Sequence, residues 1–191
     1  VETKPGANGI IGMQSVKNDP ADGTTLVLAT TSTLAANPSL FRSLPYDPEK
    51  DFTLVAVTGG GAGSFMLVRQ QAPYETLAEF VAFAKANPRE LHYGYFNASA
   101  RVSAALFAIR AGIELTSVPY RQIGAAINEL ANGQIHTVFV DTTAADALMT
   151  SSRVRAIGLT APRRSHRFPD VPIIAETYPG FEVSGFLGIA V

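Results

Sequence analysis

The sequence predicts an α/β fold with mostly parallel sheets, on three observations. β-rich runs alternate with helix-spaced runs along almost the whole chain, turn residues separate them at short intervals, and hydroxyl-rich or small residues recur where a strand passes into a helix. Folds of this class bind ligands outside the carboxyl ends of their strands. Those strand-to-helix passages are therefore where a site is expected.

In chain order, TTLVLAT (Thr24 to Thr30) reads as a strand after the turn Asp22-Gly23, followed by TLVAV (Thr53 to Val57) and SFMLV (Ser64 to Val68). Between Tyr74 and Ala86, Thr76 and Glu79 form a T-x-x-E capping box. Leu77, Phe80, Val81 and Ala84 share one helix face there, and Asn87-Pro88 ends the helix. ELHYG is the next strand. A helix follows, starting near Ser99 and running to Ala111 before Gly112, with Val102, Ala105, Leu106 and Ile109 expected as its core face. ELTSVPY is a strand, Gly124 to Leu130 has helical spacing and stops at Gly133, QIHTVFVD is a strand, TTAADALM a short helix and RVRAIGLT a closing strand. TGGGAGS (Thr58 to Ser64), between two strand-like runs, reads either as a flexible crossing between lobes or as an ordinary glycine-rich loop.

With 191 residues, 47% hydrophobic and 16% charged, the chain can bury a real core as one domain or two small lobes. A net charge of −1 makes nucleic acid an unsuitable partner, so a bound anion has to be held by local arrangement. The absence of cysteine removes disulfides, thiolate nucleophiles and Cys-based metal sites. No apolar run approaches the ~18 residues that span a bilayer. The opening VETKPGANG reads as a processed protein or a fragment whose first elements lie elsewhere.

GGGAGS lacks the GK[ST] of a phosphate loop and runs into a strand rather than a helix. His92, His136 and His166 are scattered singly, without metal-ligand spacing. RRSHR reads as a solvated loop, and no G-x-S-x-G elbow is present for serine hydrolysis. These residues call for no cofactor, no metal and no catalysis.

The stronger signal is three strand ends: Thr30, Thr31 and Ser32 after TTLVLA, Asn97, Ala98, Ser99 and Ala100 after LHYGYF, and Asp141 after HTVFV. Each alone is a helix cap. Converging at one edge, they would surround an anion with N–H and hydroxyl donors. Charge-assisted hydrogen bonds contribute roughly 1.5–3 kcal/mol each, and micromolar binding needs about 8 kcal/mol net. Four to six well-aimed donors would suffice without a cationic side chain.

The order KPGANGIIG, DPADGTTLVLAT, NPSLFRSLPYDPEKDF, LAEFVAFAKANPRELHYG, VPYR, LANGQIHTVFVD, VRAIGLTAPRRSHRFPDVPIIAE and PGFE resembles the solute-binding proteins of tripartite tricarboxylate transporters, the Bug family, from Val1 to Val191. The resemblance implies a two-lobe periplasmic binding protein of type II, the venus-flytrap fold, that closes over a small organic carboxylate. Residues 1–66 with 183–191 would form lobe one, incomplete at both of its ends, and residues 67–182 lobe two. GGGAGSFMLV and EVSGFLGIAV would be the two crossings. It also implies a periplasmic location and, as membrane partners, one large and one small integral subunit, the receptor itself not spanning the membrane.

Carried over by position, the family's ligand loops fall on Thr30, Thr31 and Ser32 in lobe one. In lobe two they fall on Tyr95 and the turn Asn97 to Ala100, on Gly124 after VPYR, and on Asp141, which either receives a ligand group or caps the next helix. The family turn after the Y-G strand is rich in Gly, Ser and Thr. Here it is Tyr95-Phe96-Asn97-Ala98-Ser99-Ala100-Arg101, and Gln122-Ile123 precede the expected glycine. Two aromatic rings and an arginine should narrow the pocket or give it an apolar wall, so the usual dicarboxylate is in question. Two alternatives stay open: an α/β enzyme acting on a carboxylate, and a sensory or scaffold domain that has lost its ligand.

Overall fold

In the computed structural model residues 1–191 are described, except for the side chain of Ala62. The chain divides into two compact units, one of Val1–Gly61, Asn97–Ser99 and Gly185–Val191, the other of Ala62–Phe96 and Ala100–Ser184.

The first unit holds helix α1 (Ile10–Val16), strand β1 (Val27–Thr30), a π-helical turn over Ser32–Ala36, the short helix α2 (Asn37–Leu40), strand β2 (Leu54–Ala62) and, from the far end of the chain, strand β8 (Gly185–Ala190). The sheet order is β1-β8-β2. β8 pairs antiparallel with β1, from Val27 opposite Ala190 to Thr30 opposite Leu187. Thr53 and Val191 exchange N–H···O bonds of 2.8 and 3.0 Å, which continues the ladder antiparallel towards β2. Met13, Ala29, Tyr46, Phe52 and Ala190 pack on one side. Leu28, opposite Ile189, and Leu187, opposite Thr30, lie on the other, where Leu28 and Leu187 are exposed.

The second unit contains β3 (Ser64–Arg69), α3 (Leu77–Ala86), β4 (His92–Tyr95), α4 (Ala98–Ala111), β5 (Thr116–Pro119), α5 (Ile123–Asn132), β6 (Thr137–Asp141), α6 (Thr142–Met149) and β7 (Val154–Leu159). Its sheet order is β5-β4-β6-β3-β7. β4 is parallel to β5 and β6, and only β3 opposes its neighbours β6 and β7. Side chains of β3 alternate across the sheet as its two-residue period requires. Met66 and Val68 join Phe80, Ala104 and Phe107 on the α3–α4 side, while Phe65 and Leu67 join Ala126, Leu130 and Ala145 on the α5–α6 side.

The capping box forms as expected: Glu79 N–H donates to Thr76 Oγ1 at 3.2 Å and Glu79 Oε2 accepts the Thr76 N–H at 3.1 Å. Three expectations are corrected. Strand β2 continues through the glycine run to Ala62, so Thr58 to Ala62 belongs to a strand rather than to an ordinary loop, and the chain leaves the first unit at Gly61–Ala62. TTLVLAT contributes only its last four residues as strand. The core face of α4 is Ala100, Ser103, Ala104, Phe107 and Ala111, whereas Leu106 and Ile109 are 43% and 74% exposed. Apolar residues lie on both sides of this helix, so spacing alone could not choose. The choice is made by Phe107, which meets Phe80, Phe139, Tyr178 and Phe181 at ring-centroid distances of 6.0 to 6.4 Å.

Candidate functional site

In the second unit the parallel pairing of β5, β4 and β6 brings three carboxyl strand ends to one sheet edge. Tyr95 stands opposite Pro119 in the ladder, and Tyr120 N–H donates to Tyr95 O at 2.8 Å. The turns into α4, α5 and α6 leave from this edge, and with them Tyr95, Ala100, Gly124 and Asp141. Non-local pairing thus gathers candidates that are 46 positions apart in the chain, Tyr95 to Asp141.

The three helix starts differ in how their N–H groups are met. Asp141 Oδ1 accepts from Thr143 and Ala144 N–H at 3.1 and 3.0 Å, so this carboxylate caps α6. At α5 the N-cap residue Gln122 makes no side-chain capping bond, and no acidic residue follows in the first turn. A Cβ built on Gly124 would meet nothing within 4 Å, so the surrounding packing does not require glycine there. The first turn of α4 is also without an acid, and the Arg101 guanidinium lies 5.5 Å from the centroid of the Tyr95 ring, a cation–π distance. Helix starts of this kind carry partial positive charge. Asp141 neutralises that charge at α6, whereas no acidic side chain stands in the first turn of α4 or α5.

In the first unit Thr30, Thr31 and Ser32 turn the chain out of β1, and Asn97–Ser99 belong to the same compact unit. Ser99 N–H donates to Ser32 Oγ at 3.1 Å, and the two serine hydroxyls are 2.9 Å apart. Asn97 is half-buried and Ala98 fully buried. Thr31 Oγ1 accepts the Phe186 N–H at 2.7 Å and so ties the turn to β8, while Thr30 N–H donates to Thr33 Oγ1 at 3.0 Å.

Two residues outside the candidate set hold this turn in place. Tyr46 donates its hydroxyl to Thr33 O at 2.6 Å, and the fully buried Asn37 donates from Nδ2 to Tyr46 Oη at 3.1 Å and to Asn8 O at 3.2 Å. Burial pushes the Tyr46 hydroxyl above the usual tyrosine range, with the Asn37 hydrogen bond opposing it, so it stays a donor at neutral pH. The sequence signal was the LPYDP motif, whose tyrosine has this supporting role.

His92 and His136, scattered singly in sequence, stack at a centroid distance of 5.8 Å. Among the described residues no group of three or more His, Cys, Asp or Glu is placed to hold a metal ion, and no helix is long and apolar enough to cross a membrane. In RRSHR, Arg164 pairs with Glu176 through bonds of 2.7 and 2.6 Å, and Arg167 reaches Asp146 at 2.6 Å. That loop is stapled to its surroundings by exposed ion pairs.

The family model of the tripartite tricarboxylate transporter family receptor matches residues 1–191. The chain belongs to this family. Among the relatives of this family member, a UPF0065 protein from the tcbD-tcbE intergenic region of Pseudomonas sp. (strain P51) is 31% identical over 99% of the chain and 57% of its own length. Protein BugT of Bordetella pertussis is 29% identical over 99% of the chain and 59% of its own length. Among solved structures, an R. palustris protein with adipate has a TM-score of 0.91 at 30% identity, covering 96% of this chain and 62% of that one. MatC from Rhodopseudomonas palustris with bound malate has a TM-score of 0.89 at 28% identity, over 97% and 64% of the two chains. Periplasmic binding protein BugD superposes with a TM-score of 0.92 at 25% identity, over 100% and 64%. The fold is thus that of the periplasmic binding proteins of this receptor family, and the chain spans about three-fifths of the length of these relatives.

Proposed function

We propose that the chain is the greater part of an extracytoplasmic receptor, periplasmic in location, that captures a small organic carboxylate and hands it to the integral membrane subunits of a tripartite transporter. The observation that carries this reading is the row of helix starts on one sheet edge, two without an acidic residue in the first turn, in a chain matched throughout by a receptor family. Adipate and malate, found in two solved relatives, support the ligand class.

Capture works by differential binding. The two compact units act as the two lobes, and an acid that makes more contacts with the closed form shifts the population towards it. The turns Thr30–Thr31–Ser32 and Asn97–Ala100 receive the carboxylate, their amides and hydroxyls donating to it in exchange for bonds they otherwise make to one another, such as Ser99 N–H to Ser32 Oγ, and the start of α5 at Gly124 takes a further polar group. Water bridges fill the remaining contacts at small cost. Tyr95 and Arg101 form a wall that departs from the small residues usual in the family, and ligand choice differs there.

Isothermal titration of the full-length receptor against a panel of mono- and dicarboxylates including adipate and malate tests the reading. Saturable binding of at least one acid, with no chemical change of the recovered acid, is the expected result. A folded protein that binds none of them, or that turns one over, overturns it.

A further inference from the structure

Apart from the short stretch Asn97–Ser99, the main chain passes between the two units at Gly61–Ala62 and at Ser184–Gly185. Just inside the second unit both passages meet one residue. Thr160 is completely buried. Its Oγ1 accepts the Ser64 N–H at 2.8 Å and donates to Val183 O at 2.6 Å. Its own N–H donates to Ser64 O at 3.0 Å, and its carbonyl accepts the Val183 N–H at 3.1 Å. One threonine therefore binds the root of the first connector and the root of the second through both side chain and backbone.

The neighbouring Gly63 strengthens this anchor. A Cβ there would stand 2.3 Å from Ala161 N and 2.7 Å from Thr160 Oγ1, so the first connector lies against the 160–161 backbone with no space for a side chain. Two and four residues earlier the situation reverses. A Cβ on Gly59 or on Gly61 would meet nothing within 4 Å, and Gly61 has a φ of +70°. Backbone without a Cβ and without packed neighbours is the easiest to re-orient.

We infer that Thr160 is a positioning residue for lobe closure, fixing both connectors on the second unit's side so that bending falls on Gly59–Gly61. The inference rests on the closure mechanism proposed above. Its physical basis is the cost of breaking the clamp: a buried hydroxyl bridging two backbone groups leaves both unsatisfied when it is lost. Among the described residues no buried side chain is hydrogen-bonded to Gly59–Gly61, which is held only as part of strand β2 beside β8.

The chain contains no cysteine, so a spin-label pair can be placed at Asp22→Cys in the first unit and Asn132→Cys in the second, both exposed. Distances between the labels are measured in the full chain without ligand by pulsed electron resonance. Thr160→Val, which keeps the shape and removes the hydroxyl, is expected to broaden the distance distribution and to speed amide exchange at Ser64 and Val183 at least tenfold. Thr160→Ser restores both, and Gly59→Ala narrows the distribution with exchange at Ser64 and Val183 unchanged. A distribution that neither Thr160→Val nor Gly59→Ala alters overturns the inference, and Gly59→Ala keeps the test decisive should Thr160→Val fail to fold. Because no ligand is used, this outcome is separate from failure of the carboxylate reading, which only the titration decides.

Discussion

The backbone N–H of His92 donates to Nδ1 of His136 across 3.0 Å, while the His136 N–H donates back to His92 O at 2.8 Å. The fold thereby uses His136 as a neutral imidazole with its lone pair on Nδ1. Burial first, then the neighbouring His92 and Arg69, hold its pKa below the ordinary 6.5, with Glu90 opposing them. A histidine whose folded pKa is depressed contributes stability that is present above its unfolded pKa and lost as pH falls through the folded one. Urea midpoints measured from pH 8 to pH 5 should be level down to about 6.5 and then decline, and His136→Phe should flatten that decline. A midpoint that rises on acidification in this window would contradict the assignment.

Gly124→Ala separates stability from binding. Alanine in place of an exposed helical glycine with no nearby atoms should raise stability by about 0.5–1 kcal/mol. The same methyl group occupies space at the start of α5 where the ligand is proposed to sit, so affinity for a bound acid should fall several-fold. Thermal melting and titration on one sample check both parts.

Tyr46→Phe removes the hydroxyl that Thr33 O accepts and that Asn37 Nδ2 donates to. With Asn37 fully buried, the loss should cost about 1–3 kcal/mol in chemical denaturation. Acid binding should weaken as well, because the Thr30 to Ser32 turn loses its support from below.

The two sides of α4 give a sharp contrast. Phe107→Ala, in the centre of the aromatic cluster, should destabilise by about 3–5 kcal/mol. Ile109→Ser, at a position 74% exposed, should stay within about 0.5 kcal/mol. Equal effects would mean that the helix is turned the other way.

Local chemistry was the legible part of this fold. The Thr76–Glu79 box, the strand ahead of Asn97, the Asp141 start of α6 and the stop of α5 at Gly133 depend on neighbours a few positions apart, and all stand where the residue types place them. What escaped depends on distant partners. The stacking of His92 on His136 follows from β4 lying beside β6, and the inner face of α4 is decided by Phe139, Tyr178 and Phe181 rather than by its own spacing. The candidate turns could be named one by one because each is a helix start. Their sharing of one edge required the order β5-β4-β6, which no local pattern encodes.

The position of β8 between β1 and β2 has a further consequence for how the molecule is made. Apart from three residues, the second unit is continuous from Ala62 to Ser184 and can assemble as soon as that stretch has left the ribosome. The first unit is synthesised before it and yet must wait. Its β1 and β2 have no strand between them until Gly185–Ala190 emerges, so a unit begun before the second one closes its sheet after it, and during that wait its unpaired strand edges are open to the wrong partner.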